Sequence, residues 1–177
     1  MTTLEIIGQG FGILGMMSYI LSFQAKKNTN YFTLQIMGGF LFALNFMLIG
    51  AVPGFIMNVA NVIRGFVLIK SDRKVPKLIF CELLCIASVV SALIISPERG
   101  IFLAITLITL VAQISGTFFM WNANGKYIRY NQFLFLSPAW LVYDIANFTL
   151  GGILCESFNM ISVVVSFIRY GKDGFEK

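Results

Sequence analysis

The sequence predicts an all-α membrane protein with seven transmembrane helices. Three observations carry that expectation. First, 58% of the 177 residues are hydrophobic and only 12% are charged, with a mean hydropathy of +0.83, whereas a soluble domain carries about a quarter charged residues. Second, seven apolar stretches, at 4–24, 31–50, 53–70, 78–96, 101–121, 131–150 and 152–170, approach the roughly 20 residues that cross a bilayer as a helix. Third, the basic residues are one-sided: eleven of thirteen Lys and Arg fall at one end of the seven-span pattern. Period-2 alternation is missing, and backbone groups in lipid must bond within the segment, so helices rather than a barrel are expected.

Orientation follows from the loops. Lys26 and Lys27 separate spans one and two, and Lys70, Arg73, Lys74 and Lys77 separate three and four. Lys126 and Arg129 precede span six, and Arg169, Lys172 and Lys177 close the chain; Arg99 alone lies in a loop on the other side. Basic loops stay in the cytoplasm, which puts the N-terminus outside and the C-terminus inside. Met1 to Glu5 lack a positive n-region, so the first stretch reads as a span rather than a cleaved signal. The net charge of +5 is absorbed by these loops, and no nucleic-acid partner is expected.

The seventh span echoes the third. Gly50-Ala-Val-Pro-Gly-Phe-Ile-Met-Asn58 matches Gly151-Gly-Ile-Leu-Cys-Glu-Ser-Phe-Asn159 in spacing, and Asn61-Val-Ile-Arg64 answers Ser166-Phe-Ile-Arg169 one helical turn out of register. The expected organisation is therefore 3+1+3: a first bundle (1–75), a linker helix (76–100) and a second bundle (101–177), with both bundles pointing the same way. Parallel repeats of this kind place a binding site near the midplane between the halves.

Helical periodicity puts polar or small residues on one face of six spans. Span three aligns Gly54, Asn58, Asn61 and Gly65, with Arg64 on the flank. Span seven aligns Gly152, Glu156, Asn159, Ser162, Ser166 and Arg169; span six, Ser137, Trp140, Asp144 and Asn147; span five, Thr106, Thr109, Gln113, Gly116 and Thr117. Span two offers Gln35, Gly38 and Asn45, and span one Gly8, Gly12, Gly15, Tyr19 and Ser22. The glycines of span one read as close helix packing. Span four has little beyond Glu82 and Cys85, as a peripheral linker would.

Arg64 and Asp144 lie inside spans, where a charge costs about 2.5–3.5 kcal/mol on insertion scales. Arg64 pairs with Asp144, pairs with Glu82, snorkels to the cytoplasm, or faces a carboxylate-bearing solute. Glu156 and Arg169 read as interfacial, and Trp121 as an interfacial anchor. Trp140 shares a face with Asp144 and offers a ring surface. Pro138 removes a backbone bond and is expected to kink span six. The candidate binding residues are thus Asn58, Asn61, Arg64, Gln113, Trp140, Asp144 and Asn159. No metal or cofactor is expected: histidine is missing, Cys81, Cys85 and Cys155 read as buried hydrophobes, and no phosphate-binding Gly-x-x-x-x-Gly-Lys motif occurs. Asp144, Glu82 and Glu156 are expected at different depths, which argues against an enzyme.

Several short motifs point to a family. Ser22-Phe-Gln-Ala-Lys-Lys27, Asn45 to Gly50, Asn58 to Arg64, Trp140-Leu-Val-Tyr-Asp-Ile145, Gly151 to Glu156 and Ile168-Arg169 resemble the YgjV-type bacterial inner-membrane proteins. The resemblance covers nearly the whole chain. That family is similar in architecture to the SWEET and PQ-loop group, which implies the 3+1+3 arrangement and an inner-membrane location. The chain lacks the Pro-Gln hinge of sugar carriers, so Gly38, Gly39 or Gly116 would have to flex. It also lacks the Trp-Glu signature of nicotinamide riboside carriers. Asn58 and Asn159 correspond to the paired asparagines of sugar carriers. The function expected is a small-solute facilitator in contact with the bilayer and a small polar solute, for which a homo-oligomer is compatible but not required. The alternative is a receptor or assembly factor that binds a peptide or lipid in the same cavity.

Overall fold

The computed structural model describes residues 3–70, 72–97 and 99–170, so Lys172 and Lys177 lie outside the described residues. The elements are α1 (Thr3–Phe23), α2 (Asn28–Leu48), α3 (Val52–Leu68), α4 (Val75–Ile95), α5 (Ile101–Asn122), α6 (Gly125–Asn131), a π-helical turn (Gln132–Leu136), α7 (Ser137–Ala146) and α8 (Leu150–Tyr170). The chain is all-helical among the described residues. Helices α1, α2, α4, α5 and α8 are long and apolar enough to cross a membrane, α3 is shorter, and α6, the π turn and α7 run on as a single rod.

The prolines explain several boundaries. Pro53, Pro76 and Pro138 each occupy the first turn of a helix, where no backbone N–H is needed. Pro138 does more than bend its rod. The π turn precedes it, and the Ser137 N–H reaches back to Gln132 O. That wider turn accommodates the carbonyl the proline ring would otherwise strike.

The sixth span is displaced from its expected 131–150. Ala123 ends α5 in a left-handed conformation (φ 52°). The Asn124 side chain then caps α6, accepting from the N–H groups of Lys126 (3.1 Å) and Tyr127 (3.4 Å). At the far end Phe148 (φ 52°) turns the chain, and Thr149 N–H donates to Asp144 O at 3.0 Å. The apolar run across this turn extended the expected span too far. Lys126 and Arg129 accordingly sit on α6, and Arg129 is buried rather than in a loop.

Sequence neighbours pack side by side, and α8 closes the ring against α1. Helix α4 packs on α3 and α5 from outside, and α3 still reaches α5 behind it. Small residues allow the closest approaches. A Cβ on Gly15 would lie 2.8 Å from the Phe42 ring and one on Gly12 3.2 Å from Asn45, while Asn45 Nδ2 donates to Gly8 O at 2.7 Å. On the other flank Gln24 Nε2 donates to Ser162 O and Oγ, both at 2.9 Å. Outward-facing Ile79, Leu83, Ile86, Val90 and Ile94 of α4 are exposed, as a lipid-facing belt requires.

The apolar core is in two parts. Phe23, Tyr31, Phe32, Leu68, Met120 and Ile128 form one cluster near the basic loops. Phe42, Phe46, Met57, Trp140, Tyr143 and Cys155 form another toward the opposite end. Outside the core, in the α3–α4 loop, Lys77 and Lys74 lie 3.1 and 3.2 Å from Asp72 and hold its carboxyl down to about 2. A depressed acid contributes stability that is present above its unfolded value of about 3.9. It is lost as pH falls through the folded value. The melting difference between the unmodified protein and Asp72→Asn should therefore stay flat from pH 8 to 5 and shrink only between about pH 4 and 2. A difference that changes around pH 6 would show that another group controls this loop.

Candidate functional site

Beside the second apolar cluster lies a cleft with a cavity volume of about 50 Å³, walled in part by Phe42, Phe46 and Trp140. It draws side chains from α1, α2, α3, α5, the π turn, α7 and α8. Asn58, Asn61, Arg64, Gln113, Trp140, Asp144 and Asn159 all line it.

The repeat-matched asparagines behave alike. Asn58 Nδ2 donates one turn back to Gly54 O at 2.9 Å. Asn159 Nδ2 also turns back one turn, to Cys155 Sγ at 3.4 Å, and to Glu156 Oε2 at 3.4 Å. Both residues are buried.

Arg64 makes neither of the two ion pairs open to it. Its Nη1 donates to Thr117 Oγ1 at 2.9 Å and to Gln113 O at 3.4 Å. Asp144 instead accepts from the Thr149 hydroxyl at 2.5 Å, and Glu82 Oε2 has no hydrogen-bond partner. Nor does Arg64 snorkel: it is 5% exposed. Sequence depth alone suggested carboxylates within reach, but Thr117 on α5 presents the nearer acceptor.

Glu156 corrects a second expectation. It is buried and lines the cleft beside Asn159 rather than sitting at an interface. Asp144 and Glu156, expected at separate depths, border the same space. The signal was available, since Glu156 shares its helical stripe with Gly152 and Asn159. Arg169 is exposed as expected, and its Nη1 donates to Gln24 Oε1 at 3.2 Å. Tyr19, Gln35 and Gln132 also line the cleft. Gln132 was hidden because it lies in the π turn at the beginning of a misplaced span. Trp140 packs on Phe46 (ring centroids 6.5 Å apart) and edge-on to Tyr143 (5.4 Å), so it forms part of the aromatic wall.

The chemistry of the lining is incomplete. Asn61 Oδ1, Arg64 Nε, both polar atoms of the Gln113 side chain and Asn159 Oδ1 are buried without a hydrogen-bond partner. Buried polar groups are nearly always bonded, because an unmade bond costs the full desolvation of the group. The residues that carry these atoms all line the cleft.

Fold and cleft together define a multi-pass helical membrane protein with a polar interior. The model of the Imp-YgjV family, described as a bacterial inner membrane protein, matches residues 6–173. The chain belongs to that family and resides in the bacterial inner membrane, in contact with the lipid bilayer. Neither a curated protein nor a solved structure matches the chain.

Proposed function

We propose that the protein is a small-solute carrier, a facilitator without catalytic activity that exposes the central cleft alternately to the two faces of the membrane. The carrying observation is the set of unpartnered buried polar atoms on Asn61, Arg64, Gln113 and Asn159 around one cleft. A polar solute supplies the missing bonds. In this reading the aromatic wall of Phe42, Phe46 and Trp140 closes the cleft on one side.

The 3+1+3 organisation and its SWEET-like kinship belong to this reading. The packing order is compatible with it: α2 lies between α1 and α3 as α7 lies between α5 and α8, with α8 packed on α1, α3 just reaching α5, and α4 outside. The bundles 1–75 and 101–177 would rock about the linker 76–100, with the π turn before Pro138 as a yielding point. The basic loops support a cytoplasmic C-terminus and an external N-terminus. They gather at one end, where Trp121 Nε1 donates to Lys74 O at 3.1 Å.

Flux of a bound solute into proteoliposomes tests the proposal. Asn58→Ala with Asn159→Ala should weaken solute binding about 30-fold, the loss of roughly two hydrogen bonds, and reduce flux in parallel. Tight binding with no flux would replace the carrier with a receptor or assembly factor.

A further inference from the structure

Two opposite charges border the cleft without meeting. Arg64 is held by neutral partners only, Thr117 and the Gln113 carbonyl, and its Nε is unpartnered. Glu156 is 8% exposed and is held, like Arg64, by neutral partners, the Ser137 hydroxyl and Asn159 Nδ2 at 3.4 Å. The ion pairs found among the described residues, Lys74 and Lys77 with Asp72, involve neither. A buried charge is costly unless paired, and a direct pair would settle both. Thr117 instead pins the guanidinium toward α5.

We infer that the solute is a zwitterion, with its carboxylate at Arg64 and its ammonium at Glu156. This rests on the carrier reading and narrows it. A simple cation would meet Arg64, a simple anion would meet Glu156 and Asp144, and a polyol would leave both charges uncompensated. The turns before α3 and α8 border a common cleft at one end of the molecule. Arg64 lies twelve residues beyond Val52 and Glu156 six beyond Leu150, a depth difference of ~9 Å between their Cα atoms, which their long side chains narrow. Asn61, Gln113 and Asn159, each with an unpartnered buried polar atom, line the same cleft. Asp144 borders the same cleft, its Oδ1 accepting from the Thr149 hydroxyl.

Binding to the detergent-purified full chain decides the matter. The probes are glycine, leucine, phenylalanine, β-alanine and γ-aminobutyrate, each beside its N-acetyl and amide derivatives, with glucose and succinate as uncharged and dianionic comparators. The expected result is one zwitterion that binds at least about tenfold tighter than both its derivatives and both comparators. Glu156→Gln should weaken that zwitterion about tenfold, to the level of its N-acetyl derivative. The N-acetyl derivative, itself an anion, should bind the variant at least as tightly as the unmodified protein, which also shows that the variant is folded. Tightest binding by an N-acetyl derivative, glucose or succinate would overturn the zwitterion and leave the carrier reading in place. Failure of every probe to bind a cooperatively unfolding protein overturns the inference, and flux of a solute outside the panel then decides the carrier reading separately.

Discussion

Gly152→Ala should lower the melting temperature of the detergent-purified protein by about 6–12 °C, corresponding to ~3 kcal/mol. A Cβ at Gly152 would collide with the Asp144 carboxylate. That carboxylate has no room to yield cheaply, because it is 2% exposed and accepts the Thr149 hydroxyl across the α7–α8 turn at 2.5 Å. Moving it sacrifices a hydrogen bond to a buried carboxyl, about 1.5–3 kcal/mol, and crowds the helix pair by a further ~1 kcal/mol or more. Thr149→Val removes the hydroxyl without adding a Cβ at 152, and should cost roughly half as much. Equal melting of Gly152→Ala and the unmodified protein would show that Asp144 rotates freely and that Thr149 does not hold this turn.

Arg64→Met should separate binding from stability. Solute affinity is expected to fall by about 100-fold or more, the effect of removing one partner of a buried charge pair. The melting temperature should hold or rise. A charge near a span centre costs about 2.5–3.5 kcal/mol on insertion scales, and no carboxylate offsets it here. Its removal strands little: the Thr117 hydroxyl still donates to Gln113 O at 2.9 Å, and methionine fills comparable volume. Residues kept at the expense of stability are commonly functional. A fall in melting temperature of more than about 5 °C with affinity intact would make Arg64 a strut between α3 and α5.

Much of this molecule was legible residue by residue. The glycines of α1 read as packing, and they seat Phe42 and Asn45 of α2. The stripes on α3 and α8 read as facing a common interior, and Asn58 and Asn159 line one cleft, Asn58 donating to a backbone carbonyl and Asn159 to side chains of its own helix. The seven candidate binding residues lie around that cleft, while their use in binding rests on the experiments above. The sixth span was misread because its signals are small. Asn124-Gly125 marks a helix cap by a single side chain, and Phe148 turns the chain without a glycine or proline to announce it. The π turn has no composition of its own; Pro138 signalled an irregularity but not its form.

Sequence alone determined the class of the protein, the order of its helices and the face each turns inward. Lipid forces every backbone group to bond within its own segment, and a helical period then converts spacing into direction. What it left open was opposition. Depth along a helix is countable from the loops, but which helix stands across the cavity is decided by packing. Only the tertiary structure put Thr117 rather than a carboxylate against Arg64, and brought Glu156 from an apparent membrane edge to the wall of the cleft.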